Sequence, residues 1–414
     1  MENFVTNFFD KYGLSFIMVA SYFGSGSVFI ASQAGVEYGY VLIWAVIGAI
    51  LLGFMAQDMS ARLGIFGDTL MSFIRKKVGK KVGLFIALFL SIGCILWNIE
   101  LTAAVGKGFE VLAGGAVSWK PVAVITGILA VLVGILDYKH VEKVMTGLMF
   151  VLLILYVIVW GASDPSWTET ARGLIPSIPD TGALVVGAAI LGTTALWPNF
   201  FLESILVKEK GWTDSSHLKP MRRDLMLGYT IGGIITLAII IVAAAVLRPA
   251  GYTELTSFID PGHALEMVLG KWAMIIFLIG VIAAAFNSIV PIMWTVPYMI
   301  LESLDIDHKN GTSKEFKLIF IGTTALGVFS PLVASVTGLS IVEMITLFPA
   351  YNGVFCLPIT AVFLYWAMND NKLMGTQTNS WQLNIANIIL VVFSIYIAIS
   401  SGKGVIQQIF SGMI

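Results

Sequence analysis

Eleven apolar stretches dominate this chain, near residues 13–34, 38–60, 82–112, 119–137, 141–162, 181–208, 221–248, 270–303, 314–336, 341–367 and 381–402. Each reaches the roughly 20 residues that one helix needs to cross the apolar core of a bilayer. Inside a bilayer the backbone must satisfy its own hydrogen bonds, which helices do. The expected fold class is therefore an all-α polytopic membrane protein. Composition agrees: 57% of the 414 residues are hydrophobic and 12% charged, about half the charge of an ordinary soluble domain. That balance excludes a secreted disulfide scaffold, a disordered protein and a cytosolic enzyme. A net charge of −1 gives no reason to expect a nucleic-acid partner. Cys94 and Cys356 both sit in apolar runs and read as small core residues. No loop is long enough for a separate soluble domain, so residues 1–414 are expected to form a single transmembrane domain with no enzymatic unit.

Orientation follows from the basic residues. With the N-terminus inside, 18 of the 24 lysines and arginines fall in cytoplasmic segments and 6 in outer ones, as the positive-inside rule requires. Eleven spans then leave the C-terminus outside. The segment near 66–78 is too short and too basic to cross and reads as an interfacial helix. Met1 to Lys11 carries Glu2 and Asp10 and lacks the basic start of a signal peptide, so the first span is expected to be retained. The expected partner is the lipid bilayer of the cell, together with a small transported solute or ion. No partner protein is implied.

Two spans are interrupted. The first reads Gly24-Ser25-Gly26-Ser27 at its middle, and the sixth reads Thr193-Thr194-Ala195-Leu196-Trp197-Pro198-Asn199. Pro198 lacks an N–H and clashes with the preceding turn, freeing the carbonyl of Thr194. Such backbone is tolerated at membrane depth only where protein buries it or it lines a cavity. The two spans are five apart, so the five-helix halves containing them have opposite topology. Broken helices at matching places in inverted halves point to a transport site near the midplane. The plainer alternative is that these small residues serve close helix packing.

Charged side chains are costly inside a membrane. Glu100 in span three and Glu203 in span six are accordingly candidates for an ion or proton pathway, with Glu203 four residues from Asn199 on one helical face. A nearby cation such as Lys208 is expected to keep Glu203 ionised, so that it draws a cation inward. If burial instead keeps it protonated at neutral pH, it is the proton-coupling site itself, and the plainer alternative is a carboxylate that simply reaches surface water or Lys208. Glu343 reads as interfacial. Asn98, Asn199, Asn287 and Asn352 are intramembrane amides. Asp58 and Arg62 form an expected surface pair at i, i+4 spacing. His140, His217, His263 and His308 all fall in loops, leaving no midplane histidine. There is no Walker-type loop, no dinucleotide fingerprint and no Cys/His cluster, so ATP-driven transport within the chain and a bound cofactor are not expected.

The stretch Ser32-Gln33-Ala34-Gly35, Tyr38-Gly39-Tyr40, then Ser60-Ala61-Arg62-Leu63-Gly64-Ile65 resembles the Nramp family of divalent-metal transporters, with its QAG, FGY and SARLGI motifs. Gly192 to Ser204 lines up with the family's span-six motif. Asn352-Gly353 with Leu357-Pro358 and the run Asn369 to Gly375 with Asn379 also match, and the resemblance covers nearly the whole chain. It implies the leucine-transporter-type fold: two inverted five-helix repeats, about 13–162 and 181–367, plus one extra helix at about 381–402.

The departures lie in the site. Where the family has DPGN, whose Asp and Asn are metal ligands, this chain has Gly24, Ser25, Gly26 and Ser27. Where the family has MPHN, with its soft sulfur, it has Leu196, Trp197, Pro198 and Asn199. The family's carbonyl donor falls on Thr193 and its second span-six histidine on Glu203. Thioether sulfur selects soft or borderline metals. What remains is hard oxygen from Ser25, Ser27, Thr193 and Asn199, with freed carbonyls, which suits magnesium. Some relatives are magnesium transporters, and a wide pocket is expected to hold the ion with its waters. The expected function is secondary transport of a magnesium-like divalent cation. The alternative is a small neutral or zwitterionic solute such as an amino acid, bound at glycine-rich helix breaks. A third is a sensor that does not transport. On either transport reading the substrate site comprises Gly24, Ser25, Gly26, Ser27, Thr193, Leu196 and Asn199.

Overall fold

The structure is a computed structural model that describes residues 24–136 and 139–410. Residues 13–23 of span one lie outside the described residues. The rest of that span falls in α1 (Ser25–Tyr38). Span two is α2 (Ile43–Phe66), which runs on through the SARLGI motif beyond the expected end near 60. The expected interfacial helix is α3 (Leu70–Val78). It is bound tightly to the body, with Leu70, Met71, Phe73 and Ile74 buried. Spans three, four and five are α4 (Lys80–Leu112), α5 (Trp119–Ile135) and α6 (Lys139–Ala162). A short surface helix, α7 (Trp167–Arg172), precedes span six.

Span six is split into α8 (Thr181–Thr194) and α9 (Trp197–Glu209). Span seven is α10 (Leu218–Val242), which continues through a π-turn over Ala243–Leu247. A second surface helix, α11 (Asp260–Leu269), leads to span eight, α12 (Trp272–Leu304). Span nine is α13 (Lys314–Thr324) and α14 (Ser330–Thr337), joined by a 3₁₀ turn. Span ten is α15 (Ile341–Tyr351) and α16 (Leu357–Met368), joined by a π-turn over Asn352–Cys356. After α17 (Asn371–Met374), span eleven is α18 (Trp381–Phe410). No strand occurs among the described residues. Eight of the described helical runs are long and apolar enough to cross a membrane, and two shorter apolar helices accompany them.

Local chemistry sets several of these boundaries. Asp180 caps α8 by accepting the Ala183 N–H at 2.8 Å. Ser340 and Glu343 form a reciprocal capping box at the start of α15, which satisfies two otherwise orphaned N–H groups. Glu343 is thus an exposed cap and not a membrane-depth carboxylate. Pro198 stands in the first turn of α9, where a missing N–H costs nothing.

Small residues bring the spans together. A Cβ on Gly64 would lie 2.3 Å from Ser204 O, and one on Gly35 would lie 2.3 Å from Ile240 O. Glycine at these two places lets α2 meet α9 and α1 meet α10 backbone to backbone, the packing mode of membrane helices. The ends of the bundle sort as the basic residues suggest. Lys77 pairs with Asp370, Lys208 with Asp68 and Arg222 with Asp58 at one end, whereas Arg172 and Arg248 share a groove with Tyr38 and Tyr40 at the other.

The Asp58–Arg62 pair is not on the surface. Asp58 is 4% exposed and Arg62 4%. Arg62 donates to Asp58 at 2.9 Å and to Asn379 Oδ1 at 2.6 Å, and Arg222 donates to the other Asp58 oxygen at 2.7 Å. Spans two and seven and the segment before span eleven are tied together there, so the i, i+4 spacing identifies the pair but not its partners.

Candidate functional site

The two breaks meet. The N-terminus of α1 opens at Gly24, whose backbone is extended (φ −91°, ψ −173°). Ser25, Gly26 and Ser27 are already helical. In span six only Ala195 and Leu196 leave the helix. Neither α1 nor α9 has a side-chain cap. The leading N–H groups of a helix have no i−4 acceptor; in α9 the Asn199 N–H turns instead to Leu196 O at 3.0 Å. At the end of α8 the Ala195 N–H takes Leu191 O at 2.8 Å.

A small cavity of about 20 Å³ lies between the breaks. Gly24, Gly26, Ser27, Glu100, Thr193 and Leu196 line it, all anticipated from the sequence. Trp97, Leu101, Ser288, Ile292 and Pro349 complete the wall and were not anticipated. Trp97 stands one turn before Glu100, and Ser288 is a polar residue beside Asn287 in an apolar run. Those were the available signals. A single water needs about 10–15 Å³. The cavity thus admits one water-sized body, and the expectation of a wide pocket for a fully hydrated ion does not hold in this conformation. Leu101, Leu196, Trp97 and Ile292 fill the space that waters would need.

Among the described residues, Glu100 is the one carboxyl group in the lining. It is 1% exposed, and Ser25 Oγ donates to its Oε1 at 2.9 Å. Ser25 opens α1, so the carboxylate sits at the positive end of that half-helix. The sequence showed no carboxylate at either break; span three supplies one. Thr193 Oγ1 donates back to Ala189 O and Ile190 O at 3.0 and 3.2 Å, leaving its lone pairs for a cation. Ser288 Oγ bonds Ala284 O at 3.0 Å. Among the described residues no group of three or more His, Cys, Asp or Glu side chains converges. A cation here would be held by one carboxylate, hydroxyls and backbone carbonyls.

Asn199 is buried but does not line this cavity. Glu203 belongs to a second polar cluster. Gln57 Nε2 donates to Glu203 Oε2 at 3.1 Å, and Tyr229 OH donates to Gln57 Oε1 at 2.8 Å. Glu203 Oε1 is buried with no partner. Glu203 is 0% exposed, which removes the reading of a surface carboxylate. Lys208, expected to hold it ionised, instead donates to Asp68 at 3.3 Å. The five-residue spacing of Glu203 and Lys208 within α9 could not reveal that Asp68, from the loop after span two, takes that lysine.

Of the remaining intramembrane amides, Asn98 and Asn352 lie at irregular backbone and Asn287 joins two helices. Asn98 Nδ2 donates to Thr324 O at 2.8 Å, beside the 3₁₀ turn of span nine. Asn287 bonds Thr146 at 3.1 Å. Asn352, in the π-turn of span ten, accepts from Trp197 Nε1 at 2.9 Å.

Comparison with known proteins agrees with this architecture. The chain resembles the manganese transporter of Eremococcus coleocola, with a TM-score of 0.78 at 18% identity over 98% of this chain and 89% of that one. It also resembles the nucleobase-cation-symport-1 family transporter MHP1, with a TM-score of 0.60 at 14% identity over 97% and 91%. These likenesses establish the fold, the leucine-transporter type with its inverted five-helix repeats and added helix. In sequence it is 30% identical over 286 residues to the divalent metal cation transporter MntH of Pectobacterium carotovorum, covering 67% of this chain and 68% of that protein. MntH of Klebsiella pneumoniae is 30% identical over 284 residues, with the same coverage. The family model described as "Natural resistance-associated macrophage protein-like" matches residues 15–401. With the motifs, the broken spans and the fold in agreement over this length, the chain belongs to the Nramp family.

Proposed function

We propose that this protein is a secondary transporter of a hard divalent cation, magnesium rather than manganese or iron. It works by alternating access in the plasma membrane, with its N-terminus in the cytoplasm and its C-terminus outside. The observation that carries the reading is Glu100, which accepts from Ser25 Oγ at 2.9 Å and lines the cavity between two helix breaks. One carboxylate with hydroxyl and carbonyl oxygens is a donor set for magnesium. Soft metals draw their preference from thiolate, thioether or imidazole, and among the described residues neither sulfur nor imidazole lines this cavity. A cavity for one water-sized body describes an occluded state. The ion loads and sheds water in states where residues 13–162 and 181–367 have moved relative to each other. Glu203 lies on the route from the cavity to the basic end and receives the cation there. Relatives by sequence are named divalent metal cation transporters, and a manganese transporter shares the fold.

The test is uptake by purified protein in liposomes, with magnesium, manganese, cadmium and a mixture of amino acids offered separately. Magnesium flux with weak cadmium flux is expected. Cadmium or manganese flux well above magnesium would overturn the hard-ion preference. Amino-acid flux with no metal flux would make the substrate an organic solute.

A further inference from the structure

The ion cavity is closed on one side by an aromatic pair. Trp97 lines it, and Trp197 stacks behind Trp97 with ring centroids 6.3 Å apart and planes 25° apart. Phe201 meets Trp197 edge-on at 5.9 Å. Trp197 is fully buried. Its indole N–H finds one acceptor, Asn352 Oδ1, at 2.9 Å. Asn352 is itself fixed, because its amide donates to Gly93 O at 3.1 Å and to Phe348 O at 2.9 Å. Gly93 makes room for this arrangement: a Cβ there would stand 2.2 Å from Asn352 Oδ1 and 2.8 Å from Cys356 Sγ.

Three helices place this assembly on the same side of the cavity. Trp97 lies three residues from Glu100 toward Lys80, Trp197 one residue from Leu196 toward Lys208, and Asn352 three residues from Pro349 toward Lys372. Those ends carry Lys77 paired with Asp370 and Lys208 paired with Asp68. The aromatic pair therefore stands between the cavity and the basic end of the bundle. Asn352 opens the π-turn of span ten, and such turns recur where a helix must rearrange in function.

We propose that Asn352 is a positioning residue that latches Trp197 behind Trp97, and that this aromatic pair is the gate closing the ion cavity toward the basic face. The gate deepens the transport reading and rests on it. Opening it requires α9 to swing within its own half, which separates the indole N–H from Asn352 and parts Trp197 from Trp97 of span three. A net hydrogen bond of ordinary strength biases such an equilibrium by up to about tenfold.

The test uses Ser27→Cys, inside the cavity, as a reporter in the full chain. A water-soluble thiol reagent is applied to the basic face of membrane vesicles. The same chain without the reporter corrects for Cys94 and Cys356, both buried. Trp197→Phe keeps a ring of nearly the same shape and removes the N–H; Asn352→Leu removes the acceptor. Each is expected to raise the labelling rate up to about tenfold, and the double variant no further than either single one, because both remove the same bond. Melting curves confirm that the chains are folded, and Trp197→Phe alone keeps the test decisive if Asn352→Leu does not fold. A wild-type labelling rate in either folded variant overturns the latch, as does a double variant whose gain is the product of the two. The readout is independent of what is transported, so a gate that labels as expected survives an error about the ion.

Discussion

Glu100 and Gly26 carry opposite requirements within one small space. Glu100 must bring charge, and Gly26 must bring nothing. A Cβ on Gly26 would come no nearer than 3.5 Å to Pro349 Cγ and 3.7 Å to Ile345 O and Thr193 Cγ2, which is ordinary contact. Gly26→Ala is therefore expected to fold and to keep part of the flux. Gly26→Leu adds three more carbons to a cavity of about 20 Å³ and is expected to abolish uptake. Transport in proteoliposomes, read beside melting temperature, separates these outcomes, and full flux in Gly26→Leu would move the substrate elsewhere. Most of this site was legible in the sequence, because glycine, serine and proline at membrane depth violate the helix rule. Trp97, Ile292 and Pro349 were not, because aromatic, branched and proline residues in membrane spans look alike whether they face a cavity, lipid or another helix.

The elements show where periodicity suffices and where it stops. Span existence followed from apolar length alone, since the bilayer fixes that length. The π-turns of spans seven and ten and the 3₁₀ turn of span nine left no mark on hydropathy, because they rearrange hydrogen bonds without changing composition. Burial of a charge was hidden for the same kind of reason: Asp58 and Arg62 have the spacing of a surface pair, and only the packing of α10 and the segment before α18 covers them. Removing one partner of a buried pair costs about 3–5 kcal/mol, against about 0–1 kcal/mol at the surface. Asp58→Asn leaves Arg62 buried and unpaired beside Arg222, and is expected to lower thermal stability by the larger amount. A melting temperature close to that of the unaltered chain would return the pair to the surface. Gly64→Ala, which would drive a methyl to 2.3 Å from Ser204 O, is expected to cost about 1–3 kcal/mol by overpacking, checked in the same melts.

At the scale of the whole molecule, the basic end joins the two halves through charged contacts. Asp68, from the loop after span two, takes both Lys76 and Lys208. Its burial favours the neutral acid, but hydrogen bonds from Lys76, Ser72 and the Thr69 N–H and the charge of Lys208 outweigh that and bring its pKa down to about 2. Its contribution is complete above the ordinary carboxylate range and is lost only as pH falls through about 2. Glu302, at the end of span eight, accepts from Thr69 Oγ1 at 2.7 Å and faces His308 at 3.6 Å. Burial lowers the pKa of His308, but the hydrogen bond and charge of Glu302, with Glu209 and Asp307 nearby, raise it above its usual value. A raised histidine pKa stabilises fully below the unfolded value of about 6.5 and ceases as pH rises through the folded one. Hydrogen exchange around residues 302–310 is therefore expected to be slower at about pH 5.5 than at about pH 8, beyond the intrinsic rate change, with the difference lost in Glu302→Gln. Equal protection at both values would show that His308 does not hold this end.

The central claim is that a divalent cation crosses through the cavity between the two breaks and is balanced there by Glu100. The most direct measurement is magnesium uptake into liposomes by Glu100→Gln beside the unaltered protein, at matched reconstitution and with matched melting curves. The variant keeps the size of the side chain and an acceptor for Ser25, and removes only the charge. The account predicts that uptake falls by a factor of about 100 or more, as expected when a charge is taken from a buried ion site. Uptake at the unaltered rate by folded Glu100→Gln would contradict it.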